Sequence, residues 1–326
     1  MLLGVVYGII ACMIWGGVYV APLLLPDYEP AVLATCRYVV FGALSLGFAI
    51  AQLKEFKHYR LADWKDAGLL GVVGNIFYYW LLSEAVQRAG APITGAFTAM
   101  IPVLCAVIGN WQAKRNHTEV PWGALTLPLM LIIVGMVCLN WTEFVYLVGS
   151  GRVTGWEFWS GVVFAIAALL VWTWYPLKNS AWILAHPERS VRAWSTAQGL
   201  TLFPASLILL AFFMTTNTNP EGVLGPRPVV FIAICLTLGF VCSWVGIVFW
   251  NLMSQRLPPA LGGQMIIFET IFAVVYAHMW RHQWPSSLML IGMAFLLGGI
   301  TLALRVFHRA RLQRTRAQAQ QSASLS

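Results

Sequence analysis

Two ionisable side chains sit deep inside long apolar runs of this 326-residue sequence, Glu269 within residues 259–280 and Arg37 within residues 30–53. An ionised group at the centre of a membrane helix costs about 2.5–3.5 kcal/mol on insertion scales, so each needs a reason to be there. Glu269 can titrate a proton, bind a substrate ammonium, or act as a packing acceptor for a neighbouring helix. Arg37 can meet a substrate carboxylate, or snorkel outward to place its head among lipid headgroups. The same apolar runs carry rings away from their ends: Trp15, Tyr19, Tyr78, Tyr79, Trp172, Tyr175 and Trp244. A flat zwitterionic aromatic molecule can stack on such rings while its polar ends meet tyrosine hydroxyls, Asn75, Gln264 and backbone groups. A stripe of rings serves plain helix packing equally well. Pro102 removes one backbone hydrogen bond and Gly262-Gly263 loosens its helix, so both places can bend, as a gate or as a fixed kink.

Other chemistries lack their residues. Intramembrane transferases and hydrolases gather Asp, His or Cys at a membrane surface, whereas His58, His117, His186, His278, His282 and His308 are scattered singly. An enzyme is not expected. The six cysteines fall inside apolar runs, with no Cys-x2-Cys pair and no histidine at ligand spacing, so no disulfide, metal or cofactor is expected. A channel would need a continuous polar or carbonyl-lined path, and the runs do not supply one. The net charge of +8 does not point to nucleic acid either, because the cations lie between apolar runs rather than on one face among aromatics.

The elements that position these residues must be membrane helices. Apolar residues make up 59% and charged residues 10% of the chain, against roughly 25% charged in soluble proteins. Runs bounded by charge, Pro or Gly predict spans at about 2–25, 30–53, 67–88, 92–111, 121–140, 156–177, 192–214, 228–252, 259–280 and 285–307, each near the ~20 residues that cross a bilayer. The first begins Met1-Leu2-Leu3-Gly4 with no basic stretch ahead of it, so it is expected to remain as a span. With the N-terminus inside, 15 of the 20 Lys and Arg fall on the cytoplasmic side and 4 outside, which predicts both termini in the cytoplasm. Trp64, Trp111, Trp122, Trp141, Trp156, Trp159, Trp280 and Trp284 lie near span ends, where indole rings suit the headgroup region. Residues 309–326 form a basic and polar tail, with Ala317 to Ser326 expected to be disordered.

The two halves echo each other. Gln87-Arg88-Ala89-Gly90-Ala91-Pro92 parallels Gln255-Arg256-Leu257-Pro258-Pro259-Ala260, and Ala11-Cys12-Met13-Ile14-Trp15 parallels Ala168-Leu169-Leu170-Val171-Trp172. Five spans per half is an odd number, so the second half must lie upside down relative to the first. Inverted repeats of this kind are a signature of secondary transporters.

Further motifs carry a resemblance. Ile14-Trp15-Gly16-Gly17-Val18-Tyr19, the run Pro30 to Tyr38 ending in Cys36-Arg37-Tyr38, Ala91-Pro92-Ile93-Thr94-Gly95-Ala96, Ile101-Pro102-Val103, Gly123, Gly135 and Phe268-Glu269-Thr270 together span nearly the whole chain. With them the sequence resembles the EamA-type drug/metabolite transporter superfamily, and within it the bacterial aromatic amino acid exporters. It departs from the family pattern where Thr270 replaces a proline and where Ile108-Gly109-Asn110 and His278-Met279-Trp280 lack the family's Gly-Glu. The resemblance implies an all-α integral membrane protein of ten transmembrane helices in two inverted five-helix repeats, residues 1–150 and 151–308. It further implies a multi-pass protein of the bacterial inner membrane, working as a monomer in the lipid bilayer without a cofactor. The expected activity is export of a small zwitterionic or neutral metabolite, an aromatic amino acid foremost, with other metabolites or lipophilic drugs as the alternative. Phosphorylated substrates are disfavoured, since one arginine cannot cancel two or more charges in a low-dielectric cavity. A dedicated cation exporter is disfavoured because the first span has no carboxylate.

Overall fold

The computed structural model describes residues 1–25, 27–89, 91–114, 118–149, 155–216, 222–280, 282 and 284–325. Among them there is no β-strand. The first apolar run is α1 (Leu2–Gly16), a 3-10 turn over Gly17–Val20 and the short α2 (Ala21–Leu24). Two adjacent glycines and Pro22, which has no N–H to donate, weaken a regular helix there. After α3 (Pro30–Ala51) and α4 (Leu53–Phe56) comes α5 (Leu61–Gly71), which a π-turn over Val72–Phe77 joins to α6 (Tyr78–Ala89). The run expected over 92–111 is split into α7 (Ala91–Thr98) and α8 (Ile101–Lys114).

Three long helices follow, α9 (Trp122–Gly149), α10 (Trp156–Ala185) and α11 (Val191–Thr216). A second π-turn, Leu238–Val245, interrupts the next rod between α12 (Pro228–Thr237) and α13 (Gly246–Ser254). The chain ends with α14 (Pro259–Gln264), α15 (Ile266–Trp280) and α16 (Ser287–Leu325). Eight helical stretches among the described residues are long and apolar enough to cross a membrane: 31–51, 61–89, 122–141, 156–185, 191–216, 228–254, 259–280 and 287–310. Leu2–Gly16 is apolar but shorter.

Two expectations change here. The tail expected to be disordered from Ala317 continues α16 as helix through Leu325. No Gly or Pro follows Gly299, and Ala, Gln, Arg and Leu propagate a helix well once it is nucleated. Pro102 does not kink a continuous helix, because the break falls at Ala99–Met100 and Pro102 sits in the first turn of α8, where a missing N–H costs little.

Glycines set the closest helix approaches. On α9 and α16, a Cβ at Gly135 would lie 2.8 Å from the Gly292 carbonyl oxygen, and one at Gly292 would lie 2.9 Å from that of Gly135. On α3 and α11, Gly42 receives the Phe203 ring while Gly199 receives Ser45 and Phe41. Trp111, Trp122, Trp141, Trp156, Trp159, Trp280 and Trp284 are exposed on the outside of the bundle, whereas Trp64 packs with Phe56 and Tyr59.

Candidate functional site

Both π-turns face one central cavity of about 250 Å³. The α5–α6 rod contributes Asn75, Tyr78, Tyr79 and Leu82, and the α12–α13 rod contributes Leu238 and Ile247. Trp15, Val18 and Ala21 approach from the first apolar run, Leu33, Ala34, Arg37 and Tyr38 from α3, Trp172 and Tyr175 from α10, and Glu269 from α15. In each π-turn a polar side chain answers the widened backbone. Asn75 Nδ2 donates to the carbonyls of Gly71 at 3.0 Å and Leu70 at 3.4 Å, while Ser243 Oγ donates to that of Leu238 at 3.2 Å. Such single π-turns inside α-helices are frequent at functional sites.

The aromatic wall is built ring on ring. Trp172 stacks against Tyr78 at 4.5 Å and against Tyr175 at 5.2 Å, and meets Trp15 tilted at 6.4 Å. Trp15 is pinned by its Nε1–H, which donates to the Cys242 carbonyl at 2.8 Å. Glycines on the rods make room for these rings, since side chains at Gly74 and Gly246 would run into Tyr175 and Trp15. Trp172 is thus packed into a stack of tyrosine rings in the cavity wall.

The cavity carries one cation and one carboxylate. Arg37 does not snorkel away from the bundle, because its Nε donates to Ser243 Oγ at 2.9 Å and its guanidinium lies 5.4 Å over the Tyr38 ring. Among the described residues Arg37 forms no ion pair. Glu269 lines the same cavity from α15. Of the other sequence-derived candidates, Trp15, Asn75, Tyr78, Tyr79, Trp172 and Tyr175 are all lining residues. Trp244 is not, as its Nε1 donates to Thr196 Oγ1 at 3.1 Å and its ring packs on Phe48 and Phe240. Gln264 is fully buried with Nε2 donating to the Ala260 carbonyl, a packing position. Gly262 and Gly263 belong to α14, where Gly263 receives Cys105 of α8. The side chain of Tyr19 lies outside the described residues. Sequence reading missed Ser243, Tyr38, Val18, Ala21, Leu33, Ala34, Leu82, Leu238 and Ile247; Tyr38 left a trace as the ring next to Arg37, and Ser243 as the one hydroxyl in residues 238–253.

One side of the bundle is sealed. Gly4 abuts Arg256 and Leu257, Gly8 abuts Met253 and Met265, and a Cβ at Gly109 would lie 2.7 Å from the Ala260 backbone nitrogen. Beside this seal Trp182 and Trp194 stack at 3.4 Å, Trp182 Nε1 donates to Asp63 at 3.3 Å, and His186 Nε2 lies 3.9 Å from the same carboxylate. Burial pushes the Tyr59 phenol here well up from its ordinary value, with the Arg189 guanidinium over its ring partly opposing that shift. A buried polar chain ties this region to the cavity. Tyr175 OH donates to Gln198, Gln198 and Trp194 donate to Asn179, Asn179 donates to Asn251 and Asn251 to Ser195, at 2.7–3.2 Å.

Comparison with known proteins agrees with this architecture. Residues 2–141 match the EamA-like transporter family. The inner membrane protein YtfF of Escherichia coli (strain K12) is 34% identical over 309 residues, which cover 94% of this chain and 96% of YtfF. A solved protein crystal structure has the same fold, with a TM-score of 0.70 over 94% of this chain and 98% of its own, at 16% identity.

Proposed function

This chain belongs to the EamA-like transporter family, and on that premise we propose that it exports small zwitterionic metabolites, aromatic amino acids foremost, by alternating access through the central cavity. The observation that carries the reading is the cavity lining, in which Arg37 suits a carboxylate, Glu269 suits an ammonium, and the Trp15, Tyr78, Trp172 and Tyr175 rings suit an apolar side chain. About 250 Å³ is small beside the roughly 300–1,000 Å³ of drug-sized pockets, which favours a single amino acid over a larger drug. A lipophilic cation would have to share the cavity with Arg37.

The protein is a multi-pass protein of the inner membrane, and we take its working unit as a monomer. Residues 1–150 and 151–308 are proposed as two inverted five-span repeats, followed by a 309–326 tail with both termini in the cytoplasm; the boundary at 150/151 lies outside the described residues. Trp15 and Trp172, Gly42 and Gly199, and Gly135 and Gly292 are pairs all 157 residues apart. The first and last pairs touch, and the middle pair lies in one helix crossing. Residues related by a two-fold axis can touch only near that axis, so the three pairs support one pseudo-two-fold axis. The bonds Asn75 to Leu70 and Ser243 to Leu238 recur with an offset of 168. In this orientation the sealed side is cytoplasmic and the cavity belongs to an outward-facing state.

Counterflow in proteoliposomes with a panel of amino acids, nucleosides and cationic dyes tests the reading. Saturable exchange of Trp, Phe or Tyr is expected. Uptake of a cationic dye with no response to any amino acid would replace amino acid export with drug export.

A further inference from the structure

We propose that Ser243 is a positioning residue that turns Arg37 into a carboxylate receptor, so that the cavity selects acids over their decarboxylated amines; this rests on the substrate reading above. Ser243 is 1% exposed and sits where the α12–α13 rod widens into a π-turn. The extra residue in that turn carries its Oγ to the Leu238 carbonyl five positions back, at 3.2 Å. A serine hydroxyl has a single hydrogen. Once that hydrogen is given to Leu238, only lone pairs remain, and Arg37 Nε donates into them at 2.9 Å. The sense of the contact is thereby fixed: Ser243 accepts and Arg37 donates through Nε.

Gly239 brings the two rods together. A Cβ there would collide with Val40 and lie 3.0 Å from the Arg37 carbonyl oxygen, so α3 can approach the π-turn only because that position is bare. With Nε tied to Ser243 and the guanidinium 5.4 Å over the Tyr38 ring, the plane of the fork is set from two directions. Its terminal nitrogens are left for the cavity, where the planar fork matches a carboxylate bidentately. Among the described residues no carboxylate lies within ion-pair distance of Arg37, Glu269 standing elsewhere on the cavity wall, so an acid guest supplies a direct counter-charge. In a regular α-helix the hydroxyl would turn back to the carbonyl four positions behind, and the acceptor for Nε would move with it.

The experiment measures half-saturation by L-phenylalanine and by phenethylamine, its decarboxylated counterpart, in counterflow of labelled phenylalanine by purified full-length protein in liposomes. In Ser243→Ala the half-saturating phenylalanine concentration is expected to rise roughly tenfold, phenethylamine is expected to be unchanged, and Ser243→Thr, which keeps the hydroxyl, is expected to restore the wild-type preference. Equal weakening of both ligands, or weakening of neither, overturns the role of Ser243 and leaves the transport reading in place. Wild-type protein that takes phenethylamine as well as phenylalanine overturns the carboxylate role of Arg37 and this proposal with it. Wild-type protein with no saturable response to any aromatic amino acid overturns the substrate reading itself, and the proposal falls too. Ser243→Ala protein that does not reach the membrane is replaced by Ser243→Cys, a weaker acceptor of the same shape, for which a smaller shift confined to phenylalanine is expected.

Discussion

Trp15 of α1 and Trp172 of α10, 157 residues apart in sequence, meet at the edge of the central cavity with ring centroids 6.4 Å apart and planes at 57°. Trp15 is also held from behind by the Cys242 carbonyl and by the Trp250 ring at 5.1 Å. Trp15→Phe keeps a ring and loses one hydrogen bond, an expected cost of about 1 kcal/mol. Trp15→Ala leaves a void among buried rings and is expected to cost about 3–5 kcal/mol. Thermal unfolding of the purified proteins ranks the two, and equal losses would contradict the pinned-ring account.

Glu269 separates proton coupling from packing. Glu269→Gln mimics the protonated carboxyl in nearly the same volume, so under proton coupling it abolishes flux driven by a pH gradient and leaves counterflow largely intact. Under a packing role Gln preserves both fluxes, while Glu269→Ala lowers stability by about 1–3 kcal/mol. Normal pH-driven transport by an abundant Gln variant would remove the proton role.

The seal opposite the cavity depends on bare backbone at Gly109. Gly109→Ala is expected to destabilise by about 1–3 kcal/mol, since its Cβ meets the Ala260 main chain rather than a movable side chain. Gly47→Ala is the control. Nothing lies within 4 Å of a Cβ there, so helix propensity should dominate with a gain of up to about 1 kcal/mol. Loss of stability in both variants would refute the steric explanation.

Asp63 does two jobs at the sealed end, boxing the start of α5 through the Arg60 N–H at 2.8 Å and accepting from Trp182 Nε1 at 3.3 Å. Asp63→Ala is expected to lower stability by about 1–2 kcal/mol and Asp63→Asn by less, because the amide oxygen still accepts one of these bonds. Chemical denaturation measured by tryptophan fluorescence reads the difference.

A reporter fused after Ser326 is expected to report cytoplasm, and one inserted in the loop at 217–225 the outside. Both on one side would remove a span from the count and dissolve the inverted repeat.

The helical, membrane-bound character of the chain was legible because spans announce themselves by apolar length alone. The cavity wall was legible in part: six of the nine residues expected to meet a substrate line it, since a Trp, Tyr or Asn away from a span end is conspicuous against Leu and Val. Which way such a residue points was not legible. In a helix apolar all round there is no polar face to orient it, so Trp244 and Gln264 looked equivalent to Trp172 and Asn75 until Thr196 and the Ala260 carbonyl took up their polar groups. Ser243 escaped notice for a related reason. Its partner lies on a helix 206 residues away in sequence, and its reach depends on a π-turn that no local pattern marks.

The mutual contact of Gly135 and Gly292 constrains how this protein can drift. Each glycine fills the space that the other's β-carbon would need, and what stands in the way is a main-chain carbonyl oxygen, 2.8 Å off in one direction and 2.9 Å in the other. A clash with a side chain can be relieved by trimming that side chain, but no second substitution shortens a carbonyl. The two positions are therefore locked together: a side chain at either one needs the α9 and α16 backbones to move apart, so the helix spacing itself, and not a neighbouring side chain, would have to change first.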